Sequence, residues 1–341
     1  MAKNKFINKK PFFIAEISGN HNGIISNAKK LIDAAKSGGA DAVKLQTYTP
    51  DMMTIKNKKK IKHGLWKNYN LWELYNKAQT PLSWHKELFD YAKKKKIKIF
   101  SSPFSEEAVD FLEQLKCQIY KVSSFEMNDL NLIKKIASTK KPMIISTGLA
   151  SLEEIDETLR IAKKYGCKDI TLLYCVSNYP SNIDDFSLNN LEIIKKKFKV
   201  KIGLSDHTIG SFLSCMSIIK GAEVIEKHIC LKNIKSVDSR FSLNENEIAN
   251  FKKDLDNFYK LIKNNTYLRS KSEMKNKIFR RSIYAISDIN TGEKFTKKNI
   301  KTFRPDKGLS ASFFLKIINK KSPIKISKGK LLNKNILNKI K

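Results

Sequence analysis

Between residues 12 and 264 the sequence repeats one unit eight times: an apolar run of strand length, a polar turn, then a segment with apolar residues at helical spacing. The runs are FFIAEIS (12–18), AVKLQTY (42–48), KIFSSPF (98–104), IYKVSS (119–124), PMIISTG (142–148), DITLLYCVS (169–177), KIGLSDH (201–207) and VIEKHI (224–229). Strands this apolar must be covered on both faces, which calls for a parallel sheet flanked by helices. The helical segments carry their own start signals: in SLEEIDETLRIAKKYG, Ser151 and Glu154 have capping-box spacing and the acids precede the bases. Eight units predict an α/β fold of the closed (β/α)8 TIM-barrel type. The alternative, an open doubly wound sheet, lacks a GxGxxG after the first strand.

With 341 residues there is room for one large domain and a small one. The pattern predicts a barrel over 1–265, a polar lysine-rich linker over 266–279, and a small, mostly β module over 280–341. The last contains RRSIYAISDI, KNIKTFRPDKGL and PIKISKGKLL, short strands between Gly and Asp turns. A module of this size buries little by itself and is expected to lean on this barrel or on a neighbouring subunit's.

No apolar run is long enough to span a membrane, and the basic N-terminus leads straight into a strand. The five cysteines contain no CxxC pair and are odd in number, which predicts reduced thiols in a cytoplasmic protein. A net charge of +33 suggests nucleic acid until the bases are sorted: of 66 basic residues only Arg160, Arg240, Arg269, Arg280, Arg281 and Arg304 are arginine. The lysines are scattered over helix faces without aromatic interleaving, so the charge is assigned to solvated surface, with neither nucleic acid nor membrane as partner. It would still speed the approach of anionic substrates.

In such barrels the chemistry sits at the C-terminal ends of the strands. The first strand ends at Glu16, with Asn20 and His21 in the turn; the second carries Lys44 and Gln46; the third ends in Ser101 and Ser102. Lys121, Ser124 and Glu126 follow on the fourth, Ser146 on the fifth, Ser177 and Tyr179 after the sixth, and Ser205, Asp206, His207, Glu226, Lys227 and His228 on the last two. His207 and His228 occupy matching positions and would point into one pocket, an open metal site. The competing reading makes one a turn cap and the other a core residue. Lysines inside apolar strands must find anions or shift their pKa. Together with the hydroxyls, they suggest a pocket for a small phosphorylated substrate beside an electrophile. The insertion at 49–81, with Trp66, Tyr69, Trp72 and Tyr75, is expected to be a lid or specificity wall; an ordinary packed excursion is the alternative.

The motifs EISGNHNG, KLQTYT, SSPFSEEAVDFLE, YKVSSFE, ISTG, SDHT and GAEVIEKH, then RRS and FRP in the tail, occur in this order. As a set they resemble the nonulosonic acid (sialic acid) synthase family over nearly the whole chain. The resemblance implies a barrel joined to an antifreeze-like (SAF) domain, and a transferase that condenses phosphoenolpyruvate with an N-acetylated amino sugar. KLQTYTPDMMT, HGLWKNYNLWELYNKAQTPLSWH, SSFE and VDSRFSL look most like the branch that makes pseudaminic acid from 2,4-diacetamido-2,4,6-trideoxy-L-altrose. Synthesis of legionaminic or N-acetylneuraminic acid is the alternative. At Ser177 the chain departs from an Asn common in the sialic acid branch.

By the same resemblance, His207 and His228 hold a divalent metal, Mn2+ before Mg2+ or Co2+, that polarises the sugar's aldehyde, while Glu126 or Glu16 handles protons. Lys44, Ser102, Lys121, Ser124, Ser146, Ser177 and Ser205 would hold phosphoenolpyruvate; Gln46, Tyr179, Asp238 and Arg304 would face the sugar. Arg304 would reach into the partner barrel of a domain-swapped homodimer. Two other classes fit the same barrel: a metal-free aldolase with Lys44 or Lys121 as Schiff-base nucleophile, and a carbohydrate-binding protein without catalysis.

Overall fold

Covering eight apolar strands on both faces is achieved most completely by a sheet without edges, and the computed structural model, which describes residues 10–263 and 267–339, has that arrangement. The strands are β1 (Phe12–Glu16), β2 (Ala42–Thr47), β3 (Lys98–Pro103), β4 (Tyr120–Val122), β5 (Met143–Ser146), β6 (Ile170–Tyr174), β7 (Lys201–Asp206) and β8 (Val224–Cys230). Each pairs in parallel with the next, and β8 closes on β1 in the register Phe12↔Val224 to Glu16↔His228. A short β9 (Leu243–Asn244) extends β8 outside the barrel. The apolar runs overshoot the strands at their C-terminal ends, because Ser123, Ser124, Thr147 and Gly148 leave the ladder and form loops.

The helices follow from their caps as well as their apolar faces. Ser105 accepts from the Ala108 amide, Asp129 from those of Asn131 and Leu132, and the Ser151–Glu154 capping box is present. Gly203 lets β7 approach β8 closely: a Cβ there would lie 2.2 Å from the Val224 carbonyl oxygen and 2.5 Å from Leu173. The period of two then sorts β8 in two directions. Glu226 and His228 line a cavity inside the barrel end, whereas Lys227 points outward, its Nζ 6.0 Å from the Phe251 ring on the helix Ile248–Ile262. All five cysteines are buried free thiols.

The insertion contains a helical turn, Pro50–Met53, and a helix, Leu71–Ala78, whose Asn70 cap accepts from the Glu73 amide.

The chain divides into two compact units, residues 1–265 and 266–341. The second is small and has its own core, with Ile283, Phe295, Ile300, Leu309 and Leu332 fully buried. Its regular sheet is one antiparallel pair, β10 (Ser282–Ala285) with β11 (Ile300–Phe303). The strand expected in PIKISKGKLL is reduced to single bridges, Ile289↔Ile326 and Tyr284↔Leu331. The stretch expected as a linker carries a helix, Lys271–Lys275, and a 3-10 turn, Asn276–Phe279. Ser270 accepts from the Glu273 amide there, a cap whose spacing is visible in the sequence.

Candidate active site

A cavity of about 420 Å³ opens at the C-terminal end of the barrel strands. At its base two lysines and two glutamates meet. Lys44 Nζ lies 2.9 Å from Glu16 Oε2 and 3.3 Å from Glu226 Oε2. Lys121 Nζ is 3.9 Å from Glu226 Oε1, and it donates to Ser146 Oγ at 2.6 Å and to the Val122 carbonyl at 2.9 Å. Ser205 donates to Glu226 at 2.9 Å, and Gln46 to Glu16 at 3.1 Å. All four charged groups are buried.

The two carboxyls are driven apart by this arrangement. Burial raises the Glu16 pKa, Lys44 only partly offsets it, and the Glu226 charge adds to the rise. Burial opposes ionisation of Glu226 as well, but Lys121 and Lys44 outweigh it and hold its carboxyl down. The arrangement favours an ionised Glu226 and a Glu16 able to hold a proton. The lysines differ in the same way. Burial works against Lys44, yet its two carboxylates raise its pKa. Burial pulls Lys121 down to about 8, because its nearest carboxylate is too far away to compensate fully. Lys121 is therefore a buried cation short of an anion.

The imidazoles of His207 and His228 stand above this floor with ring centres 5.5 Å apart. His207 Nδ1 donates to the Val176 carbonyl at 3.1 Å, which leaves the Nε2 lone pair free. His228 Nδ1 is buried without a hydrogen-bond partner. Burial lowers the pKa of His207 to about 4, and burial together with His207 puts that of His228 well below the usual range. Two neutral imidazoles, one with an orphaned nitrogen, fit a divalent cation bound through an open site. Among the described residues no third His, Cys, Asp or Glu completes a metal cluster, so the remaining positions would fall to water or substrate.

The opposite side of the cavity is apolar, formed by the insertion and the loop after β8: Ile61, Trp66, Leu74, Tyr75, Val237 and Phe241. Trp66 donates its indole N–H to the Val237 carbonyl at 3.1 Å and packs on Tyr179 at 5.2 Å, which in turn packs on His207 at 4.4 Å. Trp72 does not belong to this wall. Its indole faces outward, donating to Asp51 at 2.7 Å with Lys56 over the ring. Asp238 is the polar group on this side. Burial raises its pKa to about 6, while Ser18 Oγ, donating at 2.5 Å, and the Gly19 amide hold it back.

Of the residues singled out from the sequence, Lys44, Gln46, Lys121, Ser124, Glu126, Ser146, Tyr179, Ser205, His207, His228 and Asp238 line the cavity. Three lie one layer behind. Glu16 is fully buried beneath Lys44, Ser102 Oγ accepts from Lys44 Nζ only at 3.4 Å, and Ser177 Oγ meets Ser124 Oγ at 2.9 Å. Glu126 accepts from Ser123 and has a pKa raised by burial. Arg304 is in the second unit, exposed at the end of β11. The residue without an assigned role is Glu226, which links both lysines and Ser205. Its signal was available: an acid two positions before His228 on a strand must share that histidine's face.

The fold and site define a barrel enzyme with a basic, hydroxyl-rich floor beside a histidine pair. The NeuB family model matches residues 31–267, and the chain belongs to that family. It is 42% identical to a pseudaminic acid synthase of Campylobacter jejuni over 95% of this chain and 96% of that protein. With the pseudaminic acid synthase of Helicobacter pylori it shares 43% identity over 92% and 93%. Among solved structures, the N-acetylneuraminic acid synthetase of Leptospira borgpetersenii in complex with citrate matches with a TM-score of 0.70 and 28% identity, over 79% of this chain and 90% of that one.

Proposed function

We propose that this chain is a pseudaminic acid synthase: it condenses phosphoenolpyruvate and 2,4-diacetamido-2,4,6-trideoxy-L-altrose with water, giving pseudaminic acid and phosphate. The observation that carries this reading is one cavity with two unlike halves, an anion-deficient lysine floor and an apolar wall. The names of relatives sharing 42–43% identity along almost the full chain support the choice of sugar.

In this reading Lys121 receives the missing anion from phosphoenolpyruvate, Lys44 assists, and Ser124, Ser146 and Ser205 donate to its oxygens. His207 and His228 would hold a divalent cation, manganese by family resemblance, which would supply Lewis-acid polarisation of the open-chain sugar's carbonyl oxygen. C3 of phosphoenolpyruvate attacks the carbonyl carbon, water adds at C2, and phosphate leaves with its bridging oxygen. Glu126, which lines the cavity and whose pKa burial raises, would take and return the water's proton, and Glu16, raised to about 7 beneath Lys44, is the second candidate. Glu226 stays ionised and keeps both lysines in place. This chemistry makes the enzyme an alkyl-transferring transferase. The lowered pKa of Lys121 is also what a Schiff-base aldolase requires. Borohydride trapping separates the two, since a Schiff base leaves a covalent adduct and this mechanism leaves none.

We assign the enzyme to the cytoplasm, in keeping with its five free thiols and with the absence, among the described residues, of any helix long and apolar enough to cross a membrane. The second unit is proposed to be the antifreeze-like domain of a domain-swapped homodimer, in which Arg304 binds an N-acetyl oxygen of the sugar in the partner barrel. Mixing Arg304→Ala with His207→Ala chains tests this. Recovery of activity supports the swap, and no recovery in heterodimers shown to have formed contradicts it.

A further inference from the structure

Behind the histidine pair, outside the cavity, lies a second buried ion pair to which the chemistry above assigns nothing. Lys227 Nζ is 3.1 Å from Asp206 Oδ2, with both side chains fully buried. The two residues are register partners across β7 and β8, and each immediately precedes one of the two histidines. Lys227 Nζ also donates to the Thr208 carbonyl. Asp206 Oδ1 accepts from the Thr208 amide at 2.8 Å and hydroxyl at 2.7 Å, and Oδ2 accepts from Ser214 at 2.6 Å. A lysine next to His228 thus grips the residues on both sides of His207: the one before through its carboxylate, the one after through its carbonyl.

We propose that Lys227, acting through Asp206 and Thr208, is a positioning residue that sets the separation and aim of the His207 and His228 imidazoles. Neither Lys227 nor Asp206 lines the cavity, so neither touches substrate. A buried ion pair is weakly accounted for by stability, since an apolar pair of similar volume is often as stable or more so. What an apolar pair cannot do is tie the turn around one histidine to the strand carrying the other. Metal affinity is sensitive to what fixes the orientation of the ligating imidazoles, and here the tie acts through the backbone on either side of them. The inference rests on the proposed metal site only for one of its two readouts.

The test is the double variant Asp206→Asn/Lys227→Met, which removes both charges while nearly keeping volume. With only five histidines in the chain, ring protons can be assigned, and the His207–His228 cross-relaxation peak can be followed without metal. The proposal predicts a folded protein with a near-native melting temperature, a weakened or lost cross-peak, and Mn2+ binding weaker by about 10- to 100-fold. A folded variant with the native cross-peak and native Mn2+ affinity overturns it. If the double variant does not fold, Lys227→Arg takes its place with the same readouts, because the wide guanidinium cannot occupy the point position of the ammonium. A weakened cross-peak then supports the proposal, and a native one overturns it. Failure of the wild type itself to bind Mn2+ sinks the metal reading alone, and the cross-peak decides the positioning role.

Discussion

The floor and the wall of the cavity are built by different means. Every floor residue rides on a barrel strand or the first turn beyond it, so its direction is set by the strand's alternation and its height by the register of a closed sheet. The wall is carried by the insertion and the loop after β8, and is held by contacts such as the hydrogen bond from Trp66 to Val237, distant in sequence. In the proposed function the charged floor serves the reaction, and the apolar wall serves the choice of sugar.

Changes to the floor or to the histidine pair above it should therefore cost turnover, and changes to the wall should cost discrimination. The largest effect is expected for His207→Ala or His228→Ala: a loss of turnover on the order of 1,000-fold, as for other removed transition-state stabilisers, with the fold intact by circular dichroism. Near-native, chelator-sensitive activity in either variant would remove the histidines from the mechanism. Next comes Lys121→Met, which should weaken phosphoenolpyruvate by about 100-fold, roughly 3 kcal/mol, while leaving the sugar's KM nearly unchanged. Equal effects on both substrates would show that the two halves of the cavity are not divided as described.

The wall's footing gives a third prediction. His21 hydrogen-bonds Thr80, and His85 contacts the Pro81 carbonyl, where the insertion rejoins the barrel. Burial lowers both pKa values from 6.5 to about 4, with His85 adding to the effect on His21. Because the folded pKa lies below the unfolded one, this stability is complete above about pH 6.5 and lost as pH falls toward 4, by about 3 kcal/mol for each histidine. Urea midpoints between pH 7 and pH 4 should fall accordingly in the wild type and less in His85→Gln; parallel curves would exclude the role. The smallest effect belongs to the wall itself. Trp66→Ala should reduce the preference for the 6-deoxy sugar over a hydroxylated one by about 1 to 3 kcal/mol, and Trp72→Ala should leave it alone. A change with Trp72→Ala and none with Trp66→Ala would relocate the wall.

The same contrast explains what was legible in the sequence. The eight strands, and strand-end residues such as Lys44, Lys121, His207 and His228, could be placed because a period of two and a closed barrel leave one face for each. Glu226 was in view between Ser205 and His228, but its role depends on where two lysines from other strands end. Ser102 and Ser177 have the right residue type yet sit one layer back, a matter of a few ångströms that no pattern encodes. The insertion's aromatic content marked a wall, while the division between Trp66 inside and Trp72 outside depends on the loop's path. In the second unit, the bridges replacing the expected PIKISKGKLL strand reflect a core too small to impose regular pairing.

The choice of sugar is read from a product mass spectrum, with phosphate release, after the enzyme and Mn2+ are given phosphoenolpyruvate with each candidate sugar separately. A pseudaminic acid synthase gives pseudaminic acid and one phosphate per product from 2,4-diacetamido-2,4,6-trideoxy-L-altrose, far faster than products from the legionaminic or N-acetylneuraminic acid precursors. Faster conversion of either other sugar, or no condensation with any of them, would contradict that assignment.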